Sequence, residues 1–228
     1  MTNAVDDKSI VREYFNATGF DRWRRIYGNG EVNKVQRDIR EGHQLTIDTV
    51  MSWLEADGNV KGLSICDAGC GVGSLSIPLA QAGALVSASD ISQKMVSEAY
   101  QRSRVALPTG PLPVFCTSDL ESLMGWHHTV ICLDVLIHYP QDKAADMIEH
   151  LSSLAESRLI LSFAPKTVFY SALKKVGSFF PGPSKATRAY LHAEKDIVNI
   201  LESLGWKIER KAMNKTQFYF SRLIEAVR

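Results

Sequence analysis

Asp67 is followed by three alternating glycines, Gly69, Gly71 and Gly73, in the pattern D-x-G-x-G-x-G. An apolar run before Asp67 predicts a strand, and an apolar periodicity after Gly73 predicts a helix. Glycine lacks the Cβ atom that would keep the backbone away from a ligand, and a helix start presents unpaired N–H groups. This order of strand, glycine turn and helix therefore predicts a nucleotide-type binding loop.

The spacing of the glycines and the acidic residue before them favour one class of ligand. The dinucleotide fingerprint is G-x-G-x-x-G, whereas here the third glycine comes one residue earlier and Ser74 follows it. A carboxylate at the strand end suits a ligand that carries an ammonium group, such as S-adenosylmethionine, better than a ligand that carries phosphates. The pattern resembles the first motif of class I methyltransferases, and a glycine-rich turn without a ligand is the alternative.

Two further acidic residues end predicted strands. Asp90 follows Gly69 by 21 residues, near the place where a carboxylate grips a ribose diol in such folds. Asp119 ends the next strand and, in the methyltransferase pattern, meets the adenine amino group. Each alone could be a helix N-cap, but three acidic strand ends in succession favour S-adenosylmethionine. The predicted cofactor-binding residues are Asp67, Gly69, Cys70, Gly71, Gly73, Asp90, Ile91, Ser92, Asp119, Leu120, Cys132 and Leu133.

The stretch 130–140 runs from a buried strand into a loop and carries the next chemical groups. In class I methyltransferases this strand end lies beside the methionine part of the cofactor and faces the substrate. Asp134 would then lie at the mouth of the site and His138 near the transferred methyl group. The alternative is that His138 only hydrogen-bonds its own loop.

Composition limits the class of protein. The chain has 228 residues, and no apolar run in it approaches the roughly 18 that span a bilayer. No signal segment opens it, so we expect a cytoplasmic protein. The four cysteines lack C-x-x-C spacing, which favours buried reduced thiols and no metal site. The net charge is +1, but residues 160–228 hold 12 Lys and Arg against 5 Asp and Glu, an excess that favours an anionic substrate or membrane surface over nucleic acid.

The order of elements predicts an α/β protein. Residues 1–60 are expected to form a helical lid or arm, and residues 61–228 a cofactor-binding core with a substrate-side insertion at about 165–190. The predicted strands give a doubly wound, mostly parallel seven-stranded, Rossmann-like sheet. A closing hairpin makes one of its strands antiparallel. The predicted strands lie near 63–67, 84–89, 113–118, 128–134, 158–164, 206–212 and 217–227.

The whole chain resembles the magnesium-protoporphyrin IX methyltransferases of chlorophyll biosynthesis. The resemblance rests on the cofactor motifs and on flanking blocks at 14–23, 26–28, 35–43, 134–140 and 187–192. It implies transfer of a methyl group from S-adenosylmethionine to a propionate of Mg-protoporphyrin IX, which gives the monomethyl ester and S-adenosylhomocysteine. Magnesium would be present only within the porphyrin. The start of the chain looks like that of a cyanobacterial or bacterial member without a transit peptide.

Tyr27, on the lid, and His138 are the predicted catalytic residues. A propionate is already ionised near neutral pH, because its pKa lies about three units lower. The site therefore needs orientation and exclusion of water more than a strong base. The resemblance also implies contact with the porphyrin-binding subunit of magnesium chelatase and peripheral contact with a thylakoid or other photosynthetic membrane. The alternatives are a ubiquinone-type O-methyltransferase, a nicotinamide-dependent oxidoreductase and a binding module without catalysis.

Overall fold

The computed structural model describes residues 7–166 and 190–228. Seven strands form one sheet in the order β3-β2-β1-β4-β5-β7-β6. All neighbouring pairs are parallel except β5–β7 and β6–β7, which confirms the mostly parallel sheet with one antiparallel strand. The strands are β1 (Ser64–Ala68), β2 (Leu85–Asp90), β3 (Val114–Thr117), β4 (His127–Cys132), β5 (Ala155–Phe163), β6 (Lys207–Lys215) and β7 (Phe220–Val227).

Helices precede the sheet and alternate with its strands. Short 3-10 turns follow β3 at Leu120–Ser122 and β4 at Leu136–His138. None of the helices in the described ranges is both long and apolar enough to cross a membrane. They are α1 (Asp7–Asn16), α2 (Thr18–Ile26), α3 (Lys34–Ala56), α4 (Ser76–Gln81), α5 (Gln93–Ala106), α6 (Gln141–Leu154) and α7 (Glu194–Ser203).

The sheet divides the core into two layers, because successive side chains of a strand point to opposite faces. In β5, Leu159 and Leu161 pack in one cluster with α6 and α7, whereas Ile160 packs in the other with α3 and α4. All three are completely buried. Both faces of the sheet are thus covered, as expected for a parallel sheet whose strands are nearly continuously apolar.

Local signals set the bounds of α3 closely. The Asn33 side chain accepts a hydrogen bond from the Gln36 N–H at 2.9 Å, and the Gln36 side chain accepts one from the Asn33 N–H at 3.3 Å. This capping box satisfies donors that a helix start leaves unpaired. The helix ends before Asp57 and Gly58, so this part of residues 1–60 is helical, as the sequence predicts.

Two arginines hold the end of α2. Arg40 of α3 donates to the backbone oxygens of Ile26 at 2.6 Å and of Gly30 at 2.9 Å. Arg102 of α5 donates to the backbone oxygen of Tyr27. Cations at a helix C-terminus satisfy free carbonyls and complement the helix dipole. The backbone around Tyr27 is therefore anchored to two other helices.

One predicted strand end is displaced, and one predicted segment lies mostly outside the described residues. β4 ends at Cys132, two residues before the predicted end, because the chain turns at Asp134, which has a φ of 57°. The predicted insertion at about 165–190 falls mostly on residues 167–189, which lie outside the described ranges.

Candidate active site

A cavity of about 470 Å³ lies at the carboxyl ends of the parallel strands, the edge at which doubly wound sheets bind ligands. Its walls come from the loops after β1 to β5, the three N-terminal helices and the turn between β6 and β7. Tyr27 and His138 both line it. Eight predicted cofactor-binding residues also line it, namely Gly69, Cys70, Gly71, Asp90, Ile91, Asp119, Leu120 and Leu133.

The glycine loop has the backbone that its sequence predicts. Gly69 has a φ of 87° and Gly71 a φ of 52°, in the region that favours glycine. A Cβ atom on Gly69 would lie 2.2 Å from Cγ2 of Val135, whereas none of the described atoms lies within 4 Å of the place a Cβ on Gly71 would take. Gly69 therefore permits close packing, and Gly71 leaves open space in the cavity wall.

Asp90 is fixed by backbone donors at the end of β2. Its carboxylate accepts hydrogen bonds from the N–H of Gly71 at 3.0 Å and of Ser92 at 2.8 Å. Burial raises the pKa of Asp90 to about 6, because desolvation penalises the charged form more than these bonds favour it. The carboxylate thereby joins the glycine loop to the start of α5.

Asp119 is paired with the N-terminal helix. Its carboxylate lies 2.9 Å from Nζ of Lys8 and 3.5 Å from Arg12, and it accepts the Ser122 N–H at 3.0 Å. Although burial alone would raise the pKa of Asp119, the bonds from Ser122 and Lys8 hold it below its usual value. Helix α1 is therefore attached by ion pairs to a carboxylate in the cavity wall.

Ser92 makes a second attachment to α1. Its hydroxyl lies 3.0 Å from the backbone oxygen of Phe15 and 3.0 Å from the side-chain oxygen of Asn16. Because Ser92 also caps α5 through the N–H of Met95, the end of α1 and the start of α5 meet at one residue. The N-terminal helix thus covers the side of the cavity that Asp90 and Asp119 form.

Four predicted cofactor-binding residues do not belong to the cavity wall: Asp67, Gly73, Ser92 and Cys132. Asp67 is buried and accepts a hydrogen bond from the hydroxyl of Ser76 at the start of α4. Burial raises the pKa of Asp67 to about 6. Within the described residues the Asp67 carboxylate is thus held by Ser76, and its contact with a ligand ammonium group stays a prediction.

Tyr27 stands at the other side of the cavity, directly after α2. Its ring stacks on that of His43 with centroids 4.2 Å apart and planes at 29°. Burial, with the nearby charge of Asp134, raises the pKa of Tyr27 well above its usual value. The hydroxyl is therefore protonated at neutral pH and available as a hydrogen-bond donor.

His138 lies in the 3-10 turn after β4, with the ring of Phe15 packed edge-on at 5.3 Å. Burial lowers the pKa of His138 to about 4, so the ring is neutral near pH 7. Its Nδ1 atom is buried and has no hydrogen-bond partner within the part of the chain that the structure describes. A buried polar atom without a partner is uncommon, and a bound substrate would supply one.

The turn that carries His138 is braced by a short segment before α7. The Tyr190 N–H donates to the backbone oxygen of Ile137 at 2.7 Å, and Nε2 of the buried His192 lies 2.8 Å from the backbone oxygen of Leu136. The described residues of the 187–192 block thus help to position His138.

Asp134 is the centre of a polar network beneath the cavity. It accepts hydrogen bonds from the hydroxyls of Ser162 at 2.9 Å, Ser221 at 3.1 Å and Tyr219 at 2.7 Å, and its Oδ2 lies 3.1 Å from Nδ1 of His43. Burial alone would raise the pKa of Asp134, but the bonds from His43 and Tyr219 outweigh it and lower the pKa. Asp134 is therefore an ionised carboxylate near neutral pH.

The thiols only partly follow the sequence prediction. Cys66, Cys70 and Cys132 are buried, but Cys116 is exposed because it lies on the edge strand β3. Burial raises the pKa of Cys66 to about 12, so this thiol stays protonated. Within the described residues, no group of three or more His, Cys, Asp or Glu side chains could hold a metal ion.

Comparison with known proteins decides the family. Residues 132–228 match the model described as magnesium-protoporphyrin IX methyltransferase C-terminus, and residues 65–157 match a methyltransferase domain. The magnesium-protoporphyrin O-methyltransferase of Synechocystis is 65% identical over the full length of both chains. The chain belongs to the magnesium-protoporphyrin IX methyltransferase family.

One further member of this family and one crystal structure agree with that assignment. The chloroplastic enzyme of Arabidopsis thaliana is 61% identical, over 97% of this chain and 71% of that protein. A crystal structure of the Synechocystis enzyme with bound S-adenosylhomocysteine superimposes with a TM-score of 0.90, at 63% identity, and covers 98% of this chain and 100% of that one. The predicted fold class and family resemblance are therefore confirmed.

Two residues of the cavity wall, His43 and Tyr219, were not predicted as site residues from the sequence. His43 appeared only within a resemblance block, and Tyr219 was not singled out, yet both contact Asp134. The signal that could have found His43 is a polar residue on the apolar face of α3. No local pattern marks Tyr219, because the antiparallel pairing of β7 with β5 brings it to the cavity.

Proposed function

We propose that the chain transfers a methyl group from S-adenosylmethionine to a propionate of Mg-protoporphyrin IX and so forms the monomethyl ester. The observation that carries this proposal is full-length similarity to enzymes of this name, together with a cavity that joins the glycine loop to Tyr27 and His138. Its role in chlorophyll biosynthesis follows from the same similarity. Membership of a methyltransferase family argues against a nicotinamide-dependent oxidoreductase and against a module without catalysis.

The cavity residues fit S-adenosylmethionine. Gly71 leaves open space at the wall, and the Asp90 carboxylate has lone pairs left after its two backbone bonds, which ribose hydroxyls would use. Asp119 and Leu120 would hold the adenine, and Leu133 and the loop from Gly69 the methionine part. When bound, the cofactor supplies a methyl group already activated by a sulfonium charge.

Tyr27 and His138 orient the propionate rather than remove a proton from it. The Tyr27 hydroxyl, protonated at neutral pH, donates a hydrogen bond to the carboxylate. The neutral His138 ring donates another from its Nδ1 atom, which has no partner within the described residues. The carboxylate is ionised before it binds, so neither residue is an obligatory base. The helices α1 and α2 cover the site and exclude water, as a lid would.

Turnover on Mg-protoporphyrin IX tests these two roles. Tyr27→Phe keeps the ring and removes only the hydroxyl, whereas His138→Ala removes the imidazole. Loss of one orienting bond should lower kcat by about 10-fold to 100-fold without abolishing it, with S-adenosylhomocysteine affinity unchanged. Wild-type turnover in both variants would refute the assignment. Complete loss in either variant, with both ligands still bound, would instead indicate acid–base catalysis.

Calorimetric titration tests the cofactor site. Asp90→Ala should weaken S-adenosylhomocysteine binding by about 1.5–3 kcal/mol, the range for hydrogen bonds to a charged group. Gly71→Val places a side chain in the open space beside the glycine loop and should abolish binding by blocking the ligand sterically. NAD(H) serves as the control ligand and should not bind. Wild-type affinity for S-adenosylhomocysteine in both variants would contradict the site.

An acceptor panel separates the substrate class from the ubiquinone-type alternative. Formation of S-adenosylhomocysteine is followed with Mg-protoporphyrin IX, with a demethylated quinol and without acceptor. The proposal predicts product only with the porphyrin. Product with the quinol alone would favour the alternative.

We further infer contact with the porphyrin-binding subunit of magnesium chelatase and peripheral contact with a photosynthetic membrane. The first contact is what the family resemblance implies, and the positive excess of residues 160–228 supports the second. Part of that excess is neutralised by the rest of the chain, since Arg210 pairs with Asp57. Co-sedimentation with vesicles that contain anionic lipid, compared with neutral vesicles, tests the membrane contact; equal recovery with both would refute it.

A further inference from the structure

Asp134, His43 and Tyr27 form a continuous chain from the sheet to the cavity. Oδ2 of Asp134 lies 3.1 Å from Nδ1 of His43. The His43 ring in turn stacks on the Tyr27 ring, with the ring centroids 4.2 Å apart. All three residues line the cavity. They come from three separate parts of the fold: the loop after β4, helix α3 and the end of α2.

The sheet end of this chain is rigidly placed. The donors to Asp134 include Ser162 from β5 and Ser221 from β7, which are fully or almost fully buried, and Tyr219 from the turn before β7. The Asp134 N–H also donates to the Ser162 hydroxyl at 2.8 Å. With four side chains in contact with its oxygens, and its own N–H bonded to one of them, the carboxylate has one orientation, which fixes the imidazole that it contacts.

The other end of the chain is a side chain with fewer constraints. Arg102 donates a hydrogen bond to the backbone oxygen of Tyr27, and the Trp23 ring lies beside the Tyr27 ring. No hydrogen bond to the Tyr27 hydroxyl is found within the described residues. The His43 ring, nearly parallel to that of Tyr27, therefore restricts the plane in which the hydroxyl lies.

We propose that His43 and Asp134 are positioning residues that act through Tyr27: Asp134 fixes the His43 ring, and the His43 ring fixes the direction of the Tyr27 hydroxyl toward the substrate carboxylate. This inference rests on the proposed function, because it assigns residues to the orientation of the propionate. It adds a route by which the sheet, rather than the lid alone, sets the geometry of methyl transfer. Orientation of a reacting group is sensitive to shifts of about 1 Å.

A double-mutant cycle tests the proposal. The enzymes are wild type, Tyr27→Phe, His43→Asn and the double variant; Asn can still donate to Asp134 from near the place of Nδ1 but offers no ring to Tyr27. His43→Asn should lower kcat on Mg-protoporphyrin IX by about 10-fold, with S-adenosylhomocysteine affinity unchanged. In the Tyr27→Phe background, where no hydroxyl remains to be oriented, the same change should lower kcat by less than about 2-fold.

Two controls separate positioning from a structural role. Gln44→Ala, at the exposed next residue of α3, should keep wild-type kcat. His43→Phe keeps a ring for Tyr27 but loses the bond to Asp134, and should retain more kcat than His43→Ala. His43→Ala, which also offers no ring to Tyr27, replaces His43→Asn in the cycle if that variant does not fold. A structural role would give effects that multiply in the double variant.

Several results would overturn the proposal. They are a wild-type kcat for His43→Asn, a loss in the Tyr27→Phe background equal to that in wild type, and a Tyr27→Phe variant with full activity. Failure of the proposed function has a different signature, namely that the wild-type enzyme itself does not methylate Mg-protoporphyrin IX. That result would overturn both.

Discussion

Asp134→Ala should be among the most destabilising single changes in the cavity wall. Four side chains contact its carboxylate, and three of the donors, Ser162, Ser221 and Tyr219, are buried. Loss of hydrogen bonds to a charged group costs about 1.5–3 kcal/mol each where the partner stays buried. Alanine at a φ of 57° adds about 1–2 kcal/mol of backbone strain.

The total cost of Asp134→Ala must be smaller than the sum of these contributions, because the Tyr219 hydroxyl keeps a contact at 3.0 Å with the hydroxyl of Thr46. We therefore expect Asp134→Ala to lower the free energy of unfolding by about 3–6 kcal/mol. Asp134→Asn tolerates the positive φ and fills the same space, and the serine hydroxyls can turn to accept from its amide. Its cost should be about 1–2 kcal/mol.

Urea unfolding followed by circular dichroism measures both variants. Asp48→Ala is the matched control: an exposed aspartate on α3 that accepts a hydrogen bond from Gln44, whose loss should cost less than about 0.5 kcal/mol. Equal destabilisation by Ala and Asn, or an Ala variant within about 1 kcal/mol of wild type, would refute the view that Asp134 centres a satisfied network.

Three further predictions address other parts of the structure. Burial raises the pKa of Asp90 from 3.8 to about 6 in the folded protein, so the stability that its protonated form contributes is present below about pH 4 and is lost by about pH 6. Relative to wild type, the free energy of unfolding of Asp90→Asn should therefore gain about 1–3 kcal/mol over that rise in pH. Parallel curves of stability against pH for the two proteins would count against this prediction. Gly42→Ala would place a Cβ atom 2.4 Å from the Tyr219 ring and should cost about 1–3 kcal/mol and lower kcat; a wild-type melting temperature would contradict this packing. Lys8→Ala removes the ion pair at 2.9 Å to Asp119, so hydrogen exchange within 7–16 should become faster, and unchanged protection would argue against α1 as an attached lid.

Elements whose signals are local could be predicted from the sequence. Asn33 and the Asp57-Gly58 pair bound α3, and an apolar strand before the glycine turn identified β1 and its loop. The end of β4 was predicted two residues late, because the apolar run continues past the point at which Asp134 adopts a positive φ. A turn set by tertiary hydrogen bonds leaves no mark in local hydrophobicity.

The parts of the site that depend on distant pairing were not predictable in this way. Asp134 meets Tyr219 across 85 residues and His43 across 91. The close approach of Tyr219 to α3 depends on the absence of a side chain at Gly42, which reads in the sequence only as an unfavourable helix residue. Asp67 was expected at the ligand because of its motif, but its burial against Ser76 is set by the packing of α4 on β1.

The most direct test of the central claim follows the methyl group itself. The protein is incubated with Mg-protoporphyrin IX and S-adenosylmethionine labelled in the methyl group, and the porphyrin is isolated and then treated with alkali. The proposed function predicts one label per porphyrin, released by alkali as methanol, because a methyl ester is hydrolysed whereas a methyl group on carbon or nitrogen is not. Labelled porphyrin that resists alkali, or no label in the porphyrin while wild-type protein binds both ligands, would contradict the account.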